Sequence, residues 1–99
     1  MIIIDDDHQK LLQRSMDEDT RIRSARYFRV DGISILLEEW RWEAISGSTA
    51  VFLTEQVAAM DDAALKEFLR GKAALDMIGG VTVSRQESHV FVNFGFEAH

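Results

Sequence analysis

Ninety-nine residues, 46% apolar and 28% charged, suffice for one domain (residues 1–99) with a modest core. The net charge of −6 argues against nucleic-acid binding through phosphate neutralisation, and the lack of cysteine excludes disulfides, thiolate nucleophiles and cysteine-ligated metals. No apolar run approaches the ~18 residues of a membrane span, and Met1 to Ile4 stops at Asp5-Asp6-Asp7, too soon for a signal peptide; a cytoplasmic protein is expected.

The first element predicted is an amphipathic helix between Asp7 and Glu18. His8, Leu12 and Met16 fall at i, i+4 and i+8, with Leu11 adjacent. Asp17-Glu18-Asp19 opposes the negative end of the helix dipole, so fraying is expected there. Asp5-Asp6-Asp7-His8 contains competent metal ligands, but neighbours in an extended segment point to opposite sides. The cluster therefore reads as a helix cap, and no metal or cofactor is expected. Met1 to Asp7 also resembles the opening of a response-regulator receiver domain. That family needs a phosphoacceptor aspartate ending its third strand, and Trp42 to Met60 contains none.

Asp31-Gly32 then separates two runs rich in apolar, β-branched and aromatic residues, the strongest short-range signal for a two-residue hairpin. Its register can be counted. Val30 should face Ile33, Phe28 face Ile35 and Arg26 face Leu37. The opposite face should set Tyr27 against Leu36, Ala25 against Glu38, Arg23 against Trp40 and Arg21 against Trp42. Both faces of this hairpin (residues 21–42) thus carry large apolar groups, and a sheet with one wet face alternates more strictly.

Ser46-Gly47-Ser48 reads as the next turn and Thr49–Thr54 as a third strand. Glu55 to Met60 either extends that strand or begins a helix. Asp61-Asp62 supplies a helix start, with Leu65, Phe68 and Leu69 on one face and an end near residue 78. The tail (residues 81–96) predicts a second hairpin, with Gln86-Glu87-Ser88 as its loop. Val90, Val92, Phe94 and Phe96 fall on one side, Phe91, Asn93 and Gly95 on the other. The fold class is α+β: a mostly antiparallel sheet of about five strands, an N-terminal helix and one main helix.

That order, helix–three strands–helix–two strands, resembles the small acidic chaperones of bacterial type III secretion. The resemblance implies a homodimeric chaperone and assigns no residue a role. The residues themselves point to a non-enzymatic protein-binding module of bacterial or phage origin, acting as an inhibitor, immunity or anti-defence protein that occludes its partner. Trp40, Trp42 and Tyr27 would anchor, Arg21 and Arg23 orient, and Leu36 and Glu38 share the same face. Tryptophan, tyrosine and arginine are the usual hot-spot residues, and the acidic balance favours a basic partner. The alternatives are that homodimeric chaperone and a small-molecule-binding domain with a pocket between sheet and helix.

Overall fold

The computed structural model describes residues 5–15, 22–75, 77 and 80–98. Helix α1 (Asp6–Ser15) precedes strands β1 (Ile22–Val30), β2 (Ile33–Trp42) and β3 (Ile45–Leu53). After a 3-10 turn (Thr54–Gln56), α2 (Asp62–Glu67) passes into a π-helical turn (Phe68–Lys72). Strands β4 (Thr82–Arg85) and β5 (His89–Ala98) follow. The five strands form one antiparallel sheet in the order β1-β2-β3-β5-β4, the α+β arrangement anticipated.

Asp31 and Gly32 both take positive φ (50° and 78°), as the two-residue reversal requires. The counted register holds from Val30–Ile33 back to Ala25–Glu38, and then it slips. A β-bulge between Ile22 and Ser24 inserts Arg23 as an extra residue, so Ile22, not Arg23, faces Trp40. The expected Arg21–Trp42 pair falls on a position outside the described residues.

Ser46-Gly47-Ser48 is not a turn. The β2–β3 reversal lies at Glu43-Ala44, with Glu43 at φ 55°, and Trp42 pairs Ile45 across it. The uninterrupted ladder from Ile35–Phe52 to Trp42–Ile45 carries Gly47 through the sheet, opposite Trp40. Pairing to strands on both sides overrides the weak strand preference of serine and glycine. Gly47 does mark an irregularity: between Ser46–Glu97 and Ser48–Phe94, β5 spends two residues against one on β3. Gly95, at φ 68°, supplies the left-handed backbone that such a bulge needs.

One face of the sheet packs Ile35, Leu37, Ala50, Phe52, Val90, Val92 and Phe94 against Val57, Leu65, Phe68, Leu69 and Met77. This is the main core, and the predicted helical face of Leu65, Phe68 and Leu69 supplies much of its cover. The opposite face is thinner. Leu11 of α1 is fully buried there on Leu36, Val51, Leu53 and Phe91, with Leu12 and Tyr27 at the margin.

The main helix is shorter than its apolar spacing predicts. Asp61 caps its start, its carboxylate accepting the Ala64 amide at 2.8 Å. After Lys72 the ladder widens: the Ala73 amide donates to Phe68 and that of Leu75 to Leu69, with Ala74 between them at φ 55°. Glycine favours that left-handed conformation, and an L-residue holds it at a cost of order 1 kcal/mol. Ala74→Gly should therefore raise unfolding free energy by about 0.5 kcal/mol, the strain relief outweighing the entropy that glycine adds to the unfolded chain. Asp61→Ala should lower it by about 1 kcal/mol. Urea unfolding midpoints at constant m-value measure both.

Candidate functional site

The outer face of the sheet, opposite the main helix, holds most of the residues that the sequence nominated, and it divides into a covered and an open half. Strand alternation places Tyr27, Ser34, Leu36, Glu38, Trp40 and Trp42 on this face. Helix α1 crosses only the half nearest the Asp31-Gly32 turn.

Its anchorage is polar and centred on Ser34, which is fully buried. The Ser34 hydroxyl donates to Asp7 Oδ2 at 2.9 Å and receives Arg29 Nε at 3.3 Å. Tyr27 donates its single hydroxyl proton toward Asp5, 3.1 Å from both carboxylate oxygens, and accepts from Arg29 Nη2 at 2.9 Å. That guanidinium also reaches Asp5 Oδ2 at 2.7 Å and lies 3.5 Å from Asp7. Gln56 closes the ring, its Oε1 accepting the Ser34 amide at 2.7 Å and its Nε2 donating to Asp7 at 2.9 Å. The Ser34 amide lies beyond the β2–β3 ladder, which starts at Ile35–Phe52, and Gln56 satisfies it. His8 stacks on Tyr27 with centroids 4.4 Å apart and planes within 4°.

The acidic run therefore begins as a cap: Asp5 accepts the His8 amide at 2.8 Å, three residues into the helix turn. Tyr27 and Leu36, expected to be docking residues, instead hold α1 in place. Tyr27 is half-buried with one ring face taken by His8, and Leu36 is 1% exposed beneath Leu11. Glu38 is also buried. Strand parity assigns a side chain to a face but says nothing about which part of that face a helix covers. Leu11 packs on Leu36, Val51, Leu53 and Phe91. Met16 lies outside the described residues.

The open half lies toward the β2–β3 turn. Trp42 is 58% exposed and its direct cross-strand neighbour Ile45 is 49% exposed, the two large apolar side chains singled out by their exposure among the described residues. Trp40 is half-buried beside them. Its indole N–H donates to Thr49 Oγ1 at 2.9 Å, and Thr49 donates to Asn93 Oδ1 at 2.5 Å. This relay ties β2, β3 and β5 together and fixes the Trp40 ring. Arg23 projects from the bulge on β1 and is exposed. Ile45 escaped the sequence analysis because a turn at 46–48 would have left it in a loop.

At the opposite end of β5, a groove of about 430 Å³ is lined by Lys10, Leu53, Thr54, Glu55, Glu87, Ser88 and His89. The Nε2 of His89 lies 2.8 Å from the Lys10 carbonyl, which can only accept, so Nε2 carries the proton. In the neutral ring Nδ1 then accepts from the Ser88 hydroxyl, 2.8 Å away. Ser88 and His89 are adjacent in sequence, yet only the α1 carbonyl sets the tautomer. The groove lies beside α1, away from the interface of sheet and main helix where a ligand pocket was anticipated. Among the described residues no group of three His, Asp or Glu side chains converges to hold a metal ion.

No family model, curated protein or solved structure matches this chain.

The His8 amide holds the Asp5 carboxyl below its ordinary range; burial pushes the other way, and the Tyr27 hydroxyl and the Arg29 guanidinium add smaller lowering contributions. A carboxyl depressed in the folded state stabilises fully above its unfolded pKa, about 4, and that contribution drains as pH falls through the lowered folded value. Anchorage of α1 should thus loosen below about pH 4. Amide exchange across residues 8–12 should accelerate on acidification, and Asp5→Asn, having no proton to take up, should flatten that acid limb.

Proposed function

We propose that this chain is a non-enzymatic protein-binding module that occludes a partner protein through the open half of its outer sheet face. The observation that carries the reading is the direct pairing of Trp42 and Ile45, both about half exposed, at the tip of the β2–β3 hairpin. Single exposed apolar residues are ordinary on protein surfaces, but a tryptophan and an isoleucine side by side form a patch. Trp40 extends that patch, and its hydrogen bond to Thr49 gives it a fixed orientation, which lowers the entropy lost on docking. An anchor such as Trp42 contributes about 2 kcal/mol or more when a partner buries it. In this reading the encounter takes place in the cytoplasm, for which a cysteine-free chain is suited.

A second reading, self-association as in a homodimeric chaperone, draws on the observed element order, which follows that of the type III secretion chaperones the sequence resembles as far as the fifth strand and lacks, among the described residues, their closing helix. The same patch would then face its own copy across a two-fold axis. Two side chains bury only a few hundred Å², against roughly 800 Å² per partner in a standard interface, so a dimer needs further surface.

Trp42→Ala with Ile45→Ala should cut capture of the native partner at least tenfold in a pull-down from the host, with the urea midpoint within error of the parent chain. Capture at parental strength would remove the patch from the interface, and loss of the cooperative transition would assign both residues to the fold. Light scattering across a hundredfold concentration range separates the two readings: a constant monomer mass supports the foreign partner, and a rising mass the dimer.

A further inference from the structure

We propose that the outer edge of β1 is a docking rail for an extended acidic segment of the partner, which adds to the sheet as a further strand. The inference deepens the protein-binding reading and rests on it, but it uses a different surface from the Trp42–Ile45 patch.

Strand β1 ends the sheet order and is nine residues long, and among the described residues no strand pairs with its outer side. Residues 23–26 are consecutively exposed. The other edge strand is a poorer host: β4 has only four residues, and its Arg85 is held at 2.8 Å by Asp62. An unpaired edge presents a row of backbone donors and acceptors, the template used in strand addition.

Charge selects the occupant. Strand β1 contains Arg23, Arg26 and Arg29 and no acidic residue, although the whole chain carries −6. The chain's own Asp5 and Asp7 already occupy Arg29. Arg26 lies over the Phe28 ring at 6.0 Å, and neither it nor Arg23 meets a carboxylate among the described residues. Among the described residues one arginine of this strand is thus paired from within the fold and two meet no carboxylate. Net charge alone favours a basic partner, as the sequence suggested, but charges more than about 8 Å apart are largely screened at physiological salt. A strand lying about 4.8 Å from β1 feels the edge arginines first.

The same arginines disfavour a second copy of β1. An antiparallel self-pair centred on Arg26, in the regular part of the strand, opposes that arginine to its own copy. Like charges directly across a ladder are destabilising. Arginines and a bulge can also serve simply to block any added strand, and the test separates that role from docking.

The experiment uses the full isotope-labelled chain and three synthetic eight-residue peptides. The first alternates glutamate with valine, the second replaces each glutamate by lysine, and the third is the glutamate peptide with alternate backbone nitrogens methylated. The glutamate peptide should shift the amides of Ser24–Phe28, bind at least tenfold more tightly than the other two, and weaken as salt rises. Arg23→Glu with Arg26→Glu should reverse the preference toward lysine, and the unfolding midpoint of that variant checks its fold. Three outcomes overturn the proposal: no shifts along β1, equal binding of the methylated peptide, which is charge contact without a ladder, or shifts confined to Trp42 and Ile45. Any of these leaves the patch reading standing if the Trp42/Ile45 double variant still loses the native partner, so the two failures are distinguishable.

Discussion

A sheet with apolar groups on both faces needs cover on both, and this chain provides two very unequal covers. The main helix, with its flanking turns, closes one side completely over Phe52, Val90 and Val92. The other side has a helix of ten residues that runs across the strands at one end, from Tyr27 and Ser34 on β1 and β2 to His89 on β5. Strands of up to ten residues extend to about 33 Å, so a helix about 10 Å wide laid across them covers one end of the face. Trp42 and Ile45 lie at the other end and are exposed.

The position of α1 is set by hydrogen bonds more than by burial. Leu11 is its one fully buried side chain among those described, and one leucine does not choose between neighbouring sites on an apolar surface. The choice falls to Ser34, whose hydroxyl and amide meet Asp7, Arg29 and Gln56. A buried hydroxyl left without partners costs about 1–3 kcal/mol, so any displacement of α1 is penalised at this point. The carboxylates that look on paper like a free acidic tail are therefore part of the fold. This changes the surface as well, because Asp5 and Asp7 take up the charge of Arg29 and leave Arg23 and Arg26 as the positive charges along β1.

Some of this was legible beforehand, and some was not. The reversal at Asp31-Gly32, the alternation along Val90–Phe94, the cap at Asp61 and the face of Leu65, Phe68 and Leu69 were each readable, because each depends on residues within a few positions of one another. The bulge at Arg23, the turn at Glu43-Ala44 and the strand running through Ser46-Gly47-Ser48 were not. All three are imposed by partner strands, and Glu43 and Ala44 carry no turn signature of their own. The exposure of Ile45 depends on that turn at Glu43-Ala44, which sets it opposite Trp42.

The sequence by itself determined the order of helices and strands, the hairpin register near its turn and the faces of the strand residues between the bulges, since steric preference and period-two alternation are local properties. Only the tertiary structure decided which half of the outer face is covered. That depends on Asp5 and Asp7 meeting Tyr27, Arg29 and Ser34 across separations of more than 20 residues. It likewise decided that Tyr27 is half-buried and Leu36 buried while Trp42 is exposed, because parity along a strand is indifferent to where a distant helix lies.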